Sequence, residues 1–208
     1  MSSLPPQEEL QYWDRIIQSN PYNPHAYVRR GMAYFKLAQI AASIQDFDRA
    51  EQLDSRLTPY LWQRGLSYYY AERFEDGALQ FEIDLTVNSQ DVEETVWRYL
   101  CLARCHGSEQ AQATLLPVRN DPRRFMAAVY DLYAGNLQSD ELLAIAARDG
   151  QRGEFYGHLY LGLYFEAWNH ESQAKDHILN AATQYNLDDY MWHLARVHSQ
   201  VRGWPVES

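Results

Sequence analysis

The sequence predicts an all-α fold of about twelve antiparallel helices stacked as hairpins, and three observations carry that prediction. First, Tyr27-x-x-Arg30-Gly31-x-x-Tyr34 recurs 34 residues later as Leu61-x-x-Arg64-Gly65-x-x-Tyr68, and Phe47 recurs as Phe81. A period of that length, with glycine in one helix and an aromatic in the next, marks a repeated helix–turn–helix unit. Second, apolar residues return every three to four positions through runs of about 12 to 16 residues, the helical period. Third, Asn23-Pro24, Thr58-Pro59 and Asp121-Pro122 each set a capping side chain before a proline, and Ser139 precedes the acids Asp140-Glu141. Those are helix-start signals, because the cap accepts an orphan N–H and proline lacks one.

Residues 8–20 read as the second helix of an incomplete hairpin, since Trp13 and Ile16 align with Phe47 and Ala50. The first full unit is 24–56, with Tyr27, Gly31 and Tyr34 in one helix and Ser43, Phe47 and Ala50 in the other. The second is 58–90, with Gly65, Tyr68, Phe74, Gly77 and Phe81 in matching places. Residues 91–150 are degenerate hairpins: Arg98 continues the series Arg30, Arg64, but Tyr99 stands at the glycine position. Two atypical helices are expected near 123–134 and 139–148, divided by Gly135-Asn136. A further unit at 155–186 carries Leu161-Gly162, Phe165, Ala174, Ile178 and Ala181. A capping helix at 188–201 and an irregular tail at 203–208 complete a single solenoid over 1–208.

This repeat resembles the tetratricopeptide (TPR) family, which implies a right-handed superhelix whose concave groove grips another protein or peptide. The groove would be lined by Val28, Met32, Phe35 and Lys36 from the first unit and Trp62, Leu66, Tyr69 and Tyr70 from the second. Trp62, Tyr69 and Phe35 would be anchors, Met32 and Leu66 adaptable contacts, and Lys36 a rim charge. The alternative is that a tightly wound superhelix buries these side chains within the chain. Chaperone-binding TPR domains hold a carboxylate with Lys and Asn at these places, and Val28, Met32, Trp62 and Leu66 supply no such donors. A second class of function is a structural subunit or homodimer, with Leu10, Trp13 and Ile17 as oligomer contacts because their usual partner helix is missing.

The formal charge of −10 opposes a nucleic-acid partner, which needs a basic stripe. No apolar stretch is long enough to insert into a membrane. The opening Met1-Ser2-Ser3-Leu4-Pro5-Pro6 has no signal-peptide pattern. A soluble, cytoplasmic protein is expected as the chain stands, or an exported or organellar one if a targeting segment was trimmed. Cys101 and Cys105, one helical turn apart beside His106, read as core fillers rather than a metal site. The seven histidines form no clear ligand pair, and Glu93-Glu94 reads as a solvated helix face. No nucleophile elbow, phosphate loop or His-Glu-x-x-His motif is present, so neither an enzyme nor a cofactor is expected. Asp84 falls where a small residue is usual and is expected to pair with Arg64 or Arg98, since a buried charge needs a partner.

The order of elements also resembles the bacterial lipoprotein NlpI family of TPR adaptors. The matching stretches are 60–70 with Arg64-Gly65, 91–100 with Val96-Trp97-Arg98-Tyr99-Leu100, 130–142 with Tyr133-Ala134-Gly135-Asn136-Leu137, and 155–164 with Phe155-Tyr156-Gly157. The resemblance implies a non-catalytic scaffold, often a homodimer, that presents substrates to a C-terminal-processing protease and binds cell-wall hydrolases. Members of that family carry a lipidated N-terminal cysteine, whereas both cysteines here lie mid-chain. Outer-membrane attachment and the cell-wall partners are therefore not carried over.

Overall fold

The computed structural model describes residues 4–119 and 121–204. The expectations for Met1–Ser3 and for residues 205–208 of the tail lie outside them. The described residues form twelve α-helices and no strand. In chain order these are α1 (Pro6–Ser19), α2 (Pro24–Lys36), α3 (Ile40–Leu53), α4 (Trp62–Tyr70), α5 (Phe74–Asp84) and α6 (Val92–His106). Then follow α7 (Ser108–Ala113), α8 (Arg124–Tyr133), α9 (Ser139–Ala146), α10 (Gly150–Ala167), α11 (Glu171–Thr183) and α12 (Tyr190–Val201).

Asn23 caps α2 as expected, accepting the Ala26 N–H with Pro24 in the first turn. Two other starts differ. The Asp54 carboxylate accepts from the Arg56 N–H and turns 55–60 into a 3-10 segment, so α4 begins at Trp62 rather than at Thr58-Pro59. Asp121 accepts from the Arg123 N–H, and α8 begins at Arg124. At α9 the cap is Gln138, in a reciprocal pair with Glu141, rather than Ser139.

Hairpins form between α2 and α3, α4 and α5, α6 and α7, and α10 and α11. Glycine permits close approach inside them. A Cβ on Gly65 would lie 2.7 Å from the Phe81 ring, and one on Gly162 would lie 2.6 Å from Ile178. The arginine series builds a ladder beside these contacts, each member reaching sixteen residues back and sixteen on. Arg30 binds Asp14 at 2.9 Å and Asp46 at 2.7 Å. Arg64 binds Asp48 at 3.1 Å and the Gln80 amide oxygen at 2.8 Å. Arg98 binds Glu82 at 2.8 Å and the Thr114 carbonyl at 3.3 Å. The expected pairing of Asp84 is therefore corrected: Asp84 accepts from the Gln80 amide at 2.7 Å and meets Arg64 only through that amide. The guanidinium is already held by Asp48 and Glu51.

Phe35 of α2, buried side chains of α4 to α12 and Trp204 form one contiguous cluster, and Ile17, Ala26, Tyr27 and Ala50 form a smaller one under α1. The chain curls so that its end meets its beginning. Tyr190 at the start of α12 stacks on Phe35 of α2 at 5.4 Å and meets Trp62 of α4 edge-on at 5.5 Å.

Candidate binding pocket beneath the last helix

The curl decides where the expected groove residues lie. Phe35 and Leu66 are fully buried, and Tyr69 and Tyr70 nearly so. The Tyr69 hydroxyl donates to Glu166 of α10 at 3.2 Å, and the Tyr70 hydroxyl lies 3.0 Å from His198 Nδ1 of α12. These four are therefore corrected from groove contacts to core, because the chain's own C-terminal helices cover the face they were expected to expose. Val28, Met32, Lys36 and Trp62 are half-buried. Val28 packs under α1, Met32 Sδ lies 3.8 Å from the Gln63 amide nitrogen, and Lys36 pairs with Glu9 at 2.8 Å. Two of the eight line cavities: Lys36 one of about 720 Å³ beside Arg196 and Trp204, and Trp62 a smaller one.

The expected oligomer contacts are also corrected in part. Ile17 is buried and Trp13 half-buried against α2 and α3, so the incomplete hairpin finds its cover within the chain, while Leu10 is half-buried.

The cavity that Trp62 lines has a volume of about 350 Å³ and sits between α4, α6, α10 and α12. That is the lower end of the range for ligand pockets. Its lining is aromatic, with Trp62, Phe81, Trp97, Tyr156 and Tyr190, and acidic, with Asp91, Glu93, Glu94 and Asp189. The acids converge because two helix starts meet here. Asp91 caps α6, accepting the Glu94 N–H at 3.0 Å, and Asp189 caps α12, accepting the Met191 N–H at 2.9 Å. A carboxylate at a helix start also gains from the dipole.

Three of the four acids are answered. Glu93 pairs with Arg123 at 2.5 Å and accepts from the Tyr160 hydroxyl at 3.1 Å, although burial pushes its carboxyl up. Asp189 pairs with Arg152 at 2.9 Å and accepts from the Tyr156 hydroxyl at 3.1 Å. Asp91 lies 3.7 Å from Arg123. Among the described residues Glu94 has no paired cation, only a hydrogen bond with Asn88. Burial, then repulsion from Asp91 and Asp84, pushes its carboxyl up to about 8, and its Oε2 has no hydrogen-bond partner. Among the described residues the Trp97 indole N–H and the Tyr190 hydroxyl likewise have no partner. The expectation of a solvated Glu93-Glu94 face is corrected: both are half-buried against α8, α10 and their own cap.

The polar groups of this lining are the carboxyls of Asp91, Glu93, Glu94 and Asp189, the hydroxyls of Tyr156 and Tyr190, the Asn88 amide and the Arg152 guanidinium. Cys101 sits in the core against Gly77, where burial pushes its thiol up. Among the described residues no group of three or more His, Cys, Asp or Glu is placed to hold a metal ion, and no helix is long and apolar enough to cross a membrane. The sequence did hold a signal for the pocket: acids at Asp91, Glu93 and Glu94 open a helix whose next turns carry Val96-Trp97, so charge and aromatic share one helix start. What brings Tyr156 and Asp189 to it is tertiary. No protein-family model matches the chain, and no curated protein matches it at a significant level.

Proposed function

We propose that the chain is a non-catalytic protein-binding scaffold, a TPR-type superhelix related to the NlpI-like adaptors, that engages its partner at the pocket beneath α12. The observation that carries this reading is the pocket itself, whose single lining joins aromatic rings from five helices with the carboxyls of Asp91, Glu93, Glu94 and Asp189. A concave site with apolar walls and a few convergent polar groups suits an incoming ligand. The arginine ladder at a spacing of sixteen residues supports the TPR assignment, since it repeats with the 34-residue unit through α7. The bound segment enters an aromatic and acidic pocket rather than the open apolar groove that the repeat alone suggests.

The test compares affinity capture by the wild-type chain with capture by Trp62→Ala/Glu94→Gln, after circular dichroism has verified equal helicity. A partner retained by wild type and lost by the variant is the expected outcome. Identical partners on both proteins would move recognition to the solenoid ends, as in a structural subunit or homodimer.

A further inference from the structure

We infer that His158 of α10 and His177 of α11 form a two-imidazole site for a zinc ion that staples this hairpin. The site goes beyond the scaffold reading and does not rest on the pocket beneath α12. The two histidines stand 19 residues apart on different helices, so no helical spacing announces them as a pair. The hairpin brings them together. Its helices approach closely at Gly162, where a Cβ would lie 2.6 Å from Ile178. His158 is one helical turn before Gly162, and His177 immediately precedes Ile178.

The Nδ1 atoms face each other at 2.9 Å, and the ring centres lie 5.1 Å apart. In that arrangement one imidazole donates its proton and the other accepts it. A tetrahedral zinc ion with Zn–N of about 2.0–2.1 Å would hold the two nitrogens about 3.3 Å apart and the ring centres about 5.2 Å apart. The ring centres therefore already stand at the spacing that zinc needs. A turn of each ring about its own centre opens the nitrogens, and neither helix has to move. The shared proton passes from Nδ1 to Nε2 of the donor ring, so both bind as neutral imidazoles and no proton is lost.

The rings are also held from outside the pair. Phe165 stacks on His177 at 5.6 Å, and the Tyr185 ring lies 6.3 Å from His158. Ligand rings fixed by their neighbours lose little on binding a metal. Both histidines are half-buried, which leaves water access to complete the coordination that two protein donors begin. Imidazole suits zinc and its transition-metal neighbours, whereas magnesium and calcium prefer oxygen. The chain's charge of −10 attracts cations in general and adds no selectivity.

The experiment titrates the metal-free full chain with zinc chloride and with magnesium chloride by calorimetry at neutral pH. Nitrogen NMR of the histidine side chains then locates the ion. Zinc is expected to bind saturably, one ion per chain, and magnesium not at all. Before zinc, His158 and His177 should show different tautomers; after it, both should carry the proton on Nε2. His158→Gln and His177→Gln should each weaken zinc by more than about tenfold, at least the cost of losing a group that only orients a ligand. His106→Gln, beside Cys105 in α6, should bind zinc as wild type does. No saturable zinc binding, or NMR changes confined to other histidines, would overturn the inference, and both are read on the wild-type chain. A site lost with His106→Gln and kept by the two pair variants would overturn it as well. These variants leave Trp62 and Glu94 in place, so partner capture at the pocket stands or fails separately.

Discussion

Asp84 sits at the last turn of α5 with no exposed surface, one oxygen bound to Gln80 and the other without a partner. Burial pushes its carboxyl up to about 7, and neither the Gln80 bond nor the more distant Arg64 charge brings it back. An unfolded aspartate ionises near 3.9, so above about pH 4 the unfolded chain sheds a proton that the folded chain keeps. Stability then falls as pH rises through that window and stays level above about 7. Glu94 adds a contribution of the same sign, extending to about 8. Asp84→Asn keeps the shape and removes the charge, and should raise stability at pH 8 by about 1–3 kcal/mol and by less at pH 5. Urea denaturation at the two pH values checks this; an equal effect at both would mean that Asp84 is paired when ionised.

At the scale of the element, helix ends repeat as faithfully as helix faces. Ala38 after α2 and Glu72 after α4 hold φ of 56° and 58°, in the left-handed region. Each lets the next residue's N–H return to a helix carbonyl, Gln39 to Tyr34 and Arg73 to Tyr68, both at 2.9 Å. Glycine is the residue that adopts this conformation without strain. Glu72 is exposed, so Glu72→Gly loses little contact and should stabilise the chain by about 0.5–1 kcal/mol, read as a rise in melting temperature. Inside the hairpin the sign reverses. Gly65→Ala would drive a Cβ into the Phe81 ring and should cost about 1–3 kcal/mol by denaturant titration.

At the scale of the molecule, the decisive contact is α12 against the first hairpins. His198 is fully buried, with Tyr70 on Nδ1 and Glu166 3.6 Å from Nε2, while Glu166 also accepts from Arg202 and Tyr69. Burial holds the His198 imidazole down to about 4, below the unfolded value near 6.5. Between those values the unfolded chain binds the extra proton, so the stability this histidine contributes is present above about pH 6.5 and is lost as pH falls toward 4. His193 and His158, also held down to about 4, act in the same direction and oppose Asp84 and Glu94. His198→Asn should cost about 1–3 kcal/mol at pH 7, and its deficit relative to wild type should shrink by pH 5, which melting curves at both pH values would show. A deficit independent of pH would mean that the His198 imidazole titrates at the same pH in the folded and unfolded chains.

The sequence by itself determined the helices and their repeat. Turn chemistry and the pairing of Gly65 with Phe81 are local or nearly so, and each recurs with its unit. The acceptors of the arginine ladder were legible in the same way, since Asp14, Asp48 and Glu82 keep the spacing of Arg30, Arg64 and Arg98. Only the tertiary structure decided which face of those helices meets water. The packing of α12 onto the first hairpins brings Tyr190 onto Phe35 and Trp62. Such contacts join residues as far apart as Tyr70 and His198, 128 positions along the chain, so Tyr69 and Tyr70 read as groove from their spacing and fold as core. The same curl sets Asp189 and Tyr156 opposite Glu94 and creates an acidic, aromatic pocket that no single stretch of the sequence contains.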